Sequence, residues 1–139
     1  LVLRVTPVGF APTGPNNTLA EWLFQQFVHD KQIAGYADVF FTPVSSYSLA
    51  SLILNPKLNA VQGIYNWGNI EILSKYDFAC GLASCLGFAD TEIVSGRHFM
   101  HGDSLHGGLD STALSTALEI PIPSKDDLFE DLARHAPRI

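Results

Sequence analysis

The chain has 139 residues, the size of one domain able to bury a core of its own. Hydrophobic residues make up 47 % and charged ones only 16 %, which excludes a disordered chain. Eight scattered Lys and Arg under a net charge of −6 exclude a basic nucleic-acid groove, which needs clustered cations. A positive mean hydropathy leaves apolar surface to line a pocket or to face a partner chain.

Residues 1–10 alternate loosely and read as a strand, followed by the Pro/Gly loop APTGPNN at 11–17. Asn17 or Thr18 then caps a helix running to about Ile33. Its apolar face is Leu19, Trp22, Leu23 and Phe27, and Gly35 stops it. Trp22, Phe24 and Phe27 read as core, with an aromatic pocket wall as the alternative. YADVFFT at 36–42 is a short β-branched and aromatic strand ended by Pro43. A second helix, SYSLASLIL, ends before Pro56, whose ring disfavours α geometry in the residue preceding it. NAVQGIYNWGN is irregular, and its Tyr65, Asn66 and Trp67 are candidate ligand or partner contacts, since loop aromatics with a polar handle often serve so.

Asn69 caps the longest helical candidate, to about Phe88, amphipathic at first and then apolar nearly all round, as a central buried helix reads. TEIVS at 91–95 is a third short strand. Asp110 or Ser111 caps STALSTALEI, and Ser124 with Asp127 forms a capping-box start for a last helix to about His135. The sequence therefore predicts a mainly α fold, with α+β as the alternative: five helices and two or three short strands around one core, residues 1–139 forming a single domain.

FACGLASCLGFA at 78–89 is the longest nearly uncharged apolar run, short of the ~20 residues of a bilayer span, so no transmembrane segment is expected. LVLRV at the start lacks the features of a signal peptide. A first residue other than Met suggests a processed chain or part of a larger assembly. Asn16-Asn17-Thr18 is a glycosylation triplet that leaves a secretory route open beside a soluble protein of unassigned compartment. Five helical residues separate Cys80 from Cys85 by about 140° around the axis, poor placement for a disulfide.

Chemistry concentrates in GRHFMHGDSLHGG, 96–108, which holds three of the five histidines. Imidazoles and carboxylates are the usual ligands of zinc-like ions, so His98, His101, Asp103 and His106 form a candidate set for one divalent metal, with Asp110 in support. Without metal, His101 is a candidate general acid–base, Arg97 an anion stabiliser and Ser104 a nucleophile. An exposed polar turn is the competing reading, because Gly102, Asp103, Ser104, Gly107 and Gly108 are turn formers.

Three short motifs resemble known families. HGDSLHGG resembles the metal loop of the metallo-β-lactamase superfamily, with Asp103 in place of its second His and Leu105 in place of its Asp. GDSL, 102–105, is similar to the motif of the serine esterases, which implies Ser104 as nucleophile, with His135 the one remote partner left. RHFMH resembles the distal helix of plant-type haem peroxidases, which implies Arg97 and His101 as the acid–base pair, although Gly102 stands where an Asp follows. Each covers under a tenth of the chain.

Two functional expectations result. One is a small enzyme using residues 97–110 for metal-assisted or acid–base chemistry on a small molecule. The other is a non-catalytic subunit or ligand-binding domain, homo- or hetero-oligomeric, that works through an apolar interface.

Overall fold

The computed structural model describes residues 1–11, 18–29, 31–99 and 102–138. It overturns the mainly helical expectation. Among these residues, nine short strands alternate with five α-helices, and most strand pairs are parallel: the fold is α/β. The strands are β1 (Val2–Val5), β2 (Pro7–Val8), β3 (Ile33–Tyr36), β4 (Val39–Phe41), β5 (Val44–Ser45), β6 (Ile64–Trp67), β7 (Leu73–Ser74), β8 (Ile93–Gly96) and β9 (Leu105–Gly107). The helices are α1 (Leu19–Val28), α2 (Ser46–Ile53), α3 (Lys75–Cys85), α4 (Thr112–Leu118) and α5 (Lys125–His135).

The pairs β1–β6, β2–β5 and β3–β8 are parallel, and β4 lies between antiparallel β7 and parallel β9. Strands of two to four residues are too short to display period-2 alternation, which explains why the helical pattern dominated the sequence. Ile33–Tyr36, expected to end the first helix and enter a strand, is β3 throughout. Tyr65–Trp67, expected in a loop, belongs to β6.

Helix starts follow from side-chain caps. Thr18 with Glu21, Ser74 with Asp77 and Ser124 with Asp127 each form a reciprocal capping box. The box at Ser74 corrects the start expected at Asn69. Asn69 instead accepts the Glu71 N–H through Oδ1, closing a turn ahead of β7.

Two apolar clusters carry the fold. In the first, α3 lies centrally, with Phe78 and Leu82 packed among Leu23 and Phe27 of α1, Ile33 of β3, and Leu128 and Leu132 of α5. In the second, α2 and α4 cover one face of the β1–β6 pair: Leu52, Leu114 and Leu118 meet Trp67, with Leu3, Val5 and Tyr65 alongside. The register sets Val2 beside Ile64 on the opposite face, where they are 56 % and 61 % exposed. No helix among the described residues is long and apolar enough to cross a membrane.

Candidate functional site

The clearest ligand-sized pocket lies between α1, β3, the start of α3 and the histidine-rich segment. The Thr18 capping box fixes where α1 begins, so that Leu19, Trp22 and Leu23 share a face at i, i+3 and i+4 and form one wall. Ile33–Tyr36 of β3 line it, with Val39 and Leu105 beside them. Gly35 is needed here: a Cβ would sit 2.7 Å from Tyr76 Cα, so only glycine lets β3 approach α3 this closely. The cavity measures about 380 Å³, within the range of small-molecule sites.

Few polar groups enter this apolar space. Lys75, the first residue of α3, extends its ammonium over the Phe41 ring, 3.4 Å from the centroid, and burial pulls its pKa below the usual lysine range. The His98 ring meets Tyr36 edge-on at 5.1 Å. Trp22 is half exposed at the wall, which corrects the expectation that it is core, while Phe24 and Phe27 are buried as core.

Asp38, which sequence reasoning passed over, holds the histidine-rich segment to the pocket. Its carboxylate accepts the N–H of His98 at 2.8 and 3.0 Å and that of Phe99 at 3.0 Å. Its own carbonyl accepts the N–H of Leu105 at 2.9 Å. One residue in the β3–β4 turn therefore pins both ends of segment 98–105. Burial alone raises the Asp38 pKa, but the backbone N–H donors, with Arg97 at 3.7 Å, outweigh it and hold the carboxyl below the ordinary range. The only sequence signal was an acid inside the expected strand at 36–42, which the structure divides into β3 and β4 with Asp38 in the turn between them.

A second depression, about 410 Å³, opens where β4, β6 and β9 end, lined by Thr42, Asn69, His106 and Asp110. Ser111 ties this region together: its hydroxyl accepts the Gly68 N–H and donates to the Gly68 carbonyl. Thr42 Oγ1 accepts the Leu109 N–H at 3.0 Å.

The residues singled out in the sequence divide among these places. His98 is in the pocket and His106 in the depression. Arg97 is exposed beside Asp38, and Ser104 is 2.8 Å from the His106 ring. Asp103 is exposed, and His101 and Asn16 lie outside the described residues.

The metal expectation is corrected. Among the described residues no three His, Cys, Asp or Glu side chains gather as a metal-holding group. Of the described imidazoles in the set, His98 meets Tyr36 and Phe99, and His106 stacks flat on Phe40 at 4.8 Å. Tyr65 and Trp67 turn toward the second core cluster. Asn66 shares the open face with Ile64 by the alternation of β6. Cys80 and Cys85 are free thiols, and burial pushes that of Cys85 up to about 11.

No family model matches the sequence, and no curated protein does. Solved structures do. A dTDP-4-dehydrorhamnose reductase from Yersinia enterocolitica superposes with a TM-score of 0.74 at 19 % identity, over 96 % of this chain and 47 % of that one. A dTDP-4-dehydrorhamnose reductase from Bacillus anthracis in complex with NADP gives 0.74 at 16 % identity, over 96 % of this chain and 46 % of that one. A UDP-N-acetylglucosamine 4-epimerase from Bacillus cereus gives 0.69 at 19 % identity, over 95 % and 44 %. The fold is thus the Rossmann-like α/β fold of such reductases and epimerases, and the chain spans about half their length.

Proposed function

We propose that the chain is the substrate-side half of an NAD(P)-dependent enzyme that acts on a sugar nucleotide as a reductase or an epimerase. The pocket carries this reading: aromatic and apolar walls from Trp22, Tyr36 and Leu105, with Lys75 and His98 as the convergent polar groups. Such a space suits a planar pyrimidine base, which stacks on aromatic rings and offers carbonyl oxygens to an ammonium donor. Likeness to reductases and epimerases whose substrates are dTDP- and UDP-sugars supports the class.

The residues of this chain do not fit the dinucleotide itself. A dinucleotide pyrophosphate rests on a glycine-rich turn, G-x-G-x-x-G, that leads from a strand straight into a helix. None of the chain's eleven glycines stands in that pattern, β1 is followed by Thr6-Pro7, and five residues separate Asn69 from the helix at Lys75. We therefore derive no hydride step and assign the cofactor to a separate half.

The open face of β1–β6, with Val2, Arg4, Ile64 and Asn66, is the docking surface for that half. Parallel strands are normally covered on both faces and extended by neighbours. Within this reading His106 with Ser104 forms an acid–base pair at the second depression, and Arg97 meets the substrate's negative charge.

Calorimetric titration of the chain with UDP, dTDP and NADP tests the proposal. Saturable binding of UDP or dTDP is expected, weakened at least tenfold by Trp22→Ala, with no heat from NADP. Binding of NADP in place of the pyrimidine nucleotides would overturn it.

A further inference from the structure

Bordering the second core cluster, α2 and α5 leave a cleft of about 630 Å³, lined along one wall by Ile120–Pro123. It shares no residue with the pocket beneath α1. Trp67 is one of its lining residues. Its indole is 2 % exposed, and its N–H is buried without a hydrogen-bond partner among the described residues. A buried donor left open is uncommon, because folding strips its water and gives nothing back. Trp67 itself lines the cleft, so an acceptor arriving there has an unsatisfied donor within the same residue to complete.

The remaining lining states what kind of molecule would bring that acceptor. Asp131 is fixed by the Ser45 hydroxyl, and its backbone carbonyl accepts from His135 Nδ1 at 2.8 Å, which leaves His135 Nε2 without a part in that bond. Asn55 spends its Oδ1 on the Lys57 N–H and keeps its amide NH2 free to donate. Ser48 and Ser51 add hydroxyls from α2, and Tyr47 lies stacked on His135 at the rim. Donors and acceptors are therefore both present beside the apolar surfaces of Tyr47, Ile122 and the two prolines. Two carboxylates, Asp127 and Asp131, face one cation, Arg134, which itself pairs with Glu130 at 2.5 Å. That balance repels phosphates and carboxylates and suits a neutral ligand rich in hydroxyls.

We infer that the cleft between α2 and α5 is a second ligand site that takes an uncharged sugar ring, with the Trp67 N–H donating to one of its oxygens. It does not depend on the nucleotide pocket.

The test follows the two indole N–H signals of the 15N-labelled chain, Trp22 and Trp67, distinguished by Trp22→Phe. Titrants are D-glucose, L-rhamnose and N-acetyl-D-glucosamine, with inorganic phosphate as a separate titrant. The Trp67 signal should shift saturably with at least one sugar while the Trp22 signal stays still. Ser51→Trp fills the cleft from an exposed position on α2 and should abolish the shift, with an unchanged Trp22 signal reporting an intact fold. A Trp67 signal that ignores all three sugars, one that moves with phosphate instead, or a shift that survives Ser51→Trp would overturn the inference. Nucleotide binding reads on Trp22, so failure here and failure of the proposed function are separate results.

Discussion

The two apolar clusters differ in what lies beyond them. Around α3, the apolar residues are enclosed: α1, β3 and α5 surround Phe78 and Leu82, which are fully buried. Around the β1–β6 pair, α2 and α4 cover one face only, and the other presents Val2 and Ile64 to solvent. The first region is a finished core with a pocket at its margin. The second leaves an apolar sheet face open, which under the proposed function a further half of the enzyme covers.

Substitutions separate the two regions. Leu82→Ala empties a site that is 0 % exposed and should destabilise the chain by about 2–5 kcal/mol in urea unfolding. Ile64→Ser, on the open face, should stay within about 0.5 kcal/mol in the isolated chain. Equal effects would erase the distinction. Gly81→Ala sharpens it, because a Cβ would fall 2.2 Å from the Phe129 ring where α3 meets α5. Such overpacking costs about 1–3 kcal/mol in the same assay. Thr18→Ala removes one arm of the cap on α1 and should cost about 1 kcal/mol. It should also lower the affinity for pyrimidine nucleotides, because the helix start positions Trp22.

The smallest effect on global stability comes from Asp38, and it depends on pH. Its folded pKa lies below its unfolded one, so the stabilisation is complete above roughly pH 4 and is lost as pH falls through the folded value. Hydrogen exchange at His98 and Phe99 should therefore quicken in acid. Asp38→Asn should make exchange at these amides fast at neutral pH and nearly independent of pH between 3 and 6, after correction for intrinsic rates (roughly the carboxylate range).

Helices were legible in the sequence where a side-chain cap and a 3.6-residue pattern coincide, as at Thr18 and Ser124. Strands were not. β3 begins within four residues of α1's end cap at His29, and Ile33 continues the apolar spacing of that helix, so periodicity alone could not divide them. β6 carries Asn66 and adjoins Gly68, both turn-like in composition, yet it pairs along its length with β1, some sixty positions earlier. Long-range parallel pairing leaves no local mark.

The site was legible in part. The histidine-rich segment does border the pocket through His98 and Leu105, but His98 and His106 face aromatic rings, and no metal group forms among the described residues. The walls, Trp22 and Tyr36, and the clamp, Asp38, are separated by tens of residues from the segment they serve. Only the fold brings them together.

The most direct test of the account is a hydrogen-exchange footprint of the chain with UDP or dTDP. Protection should rise at Ile33–Tyr36, at His98 and Phe99 and at Leu105, while Val2–Val5 remains unchanged. Protection that appears along β1 and β6, or none at the pocket despite binding, would contradict it.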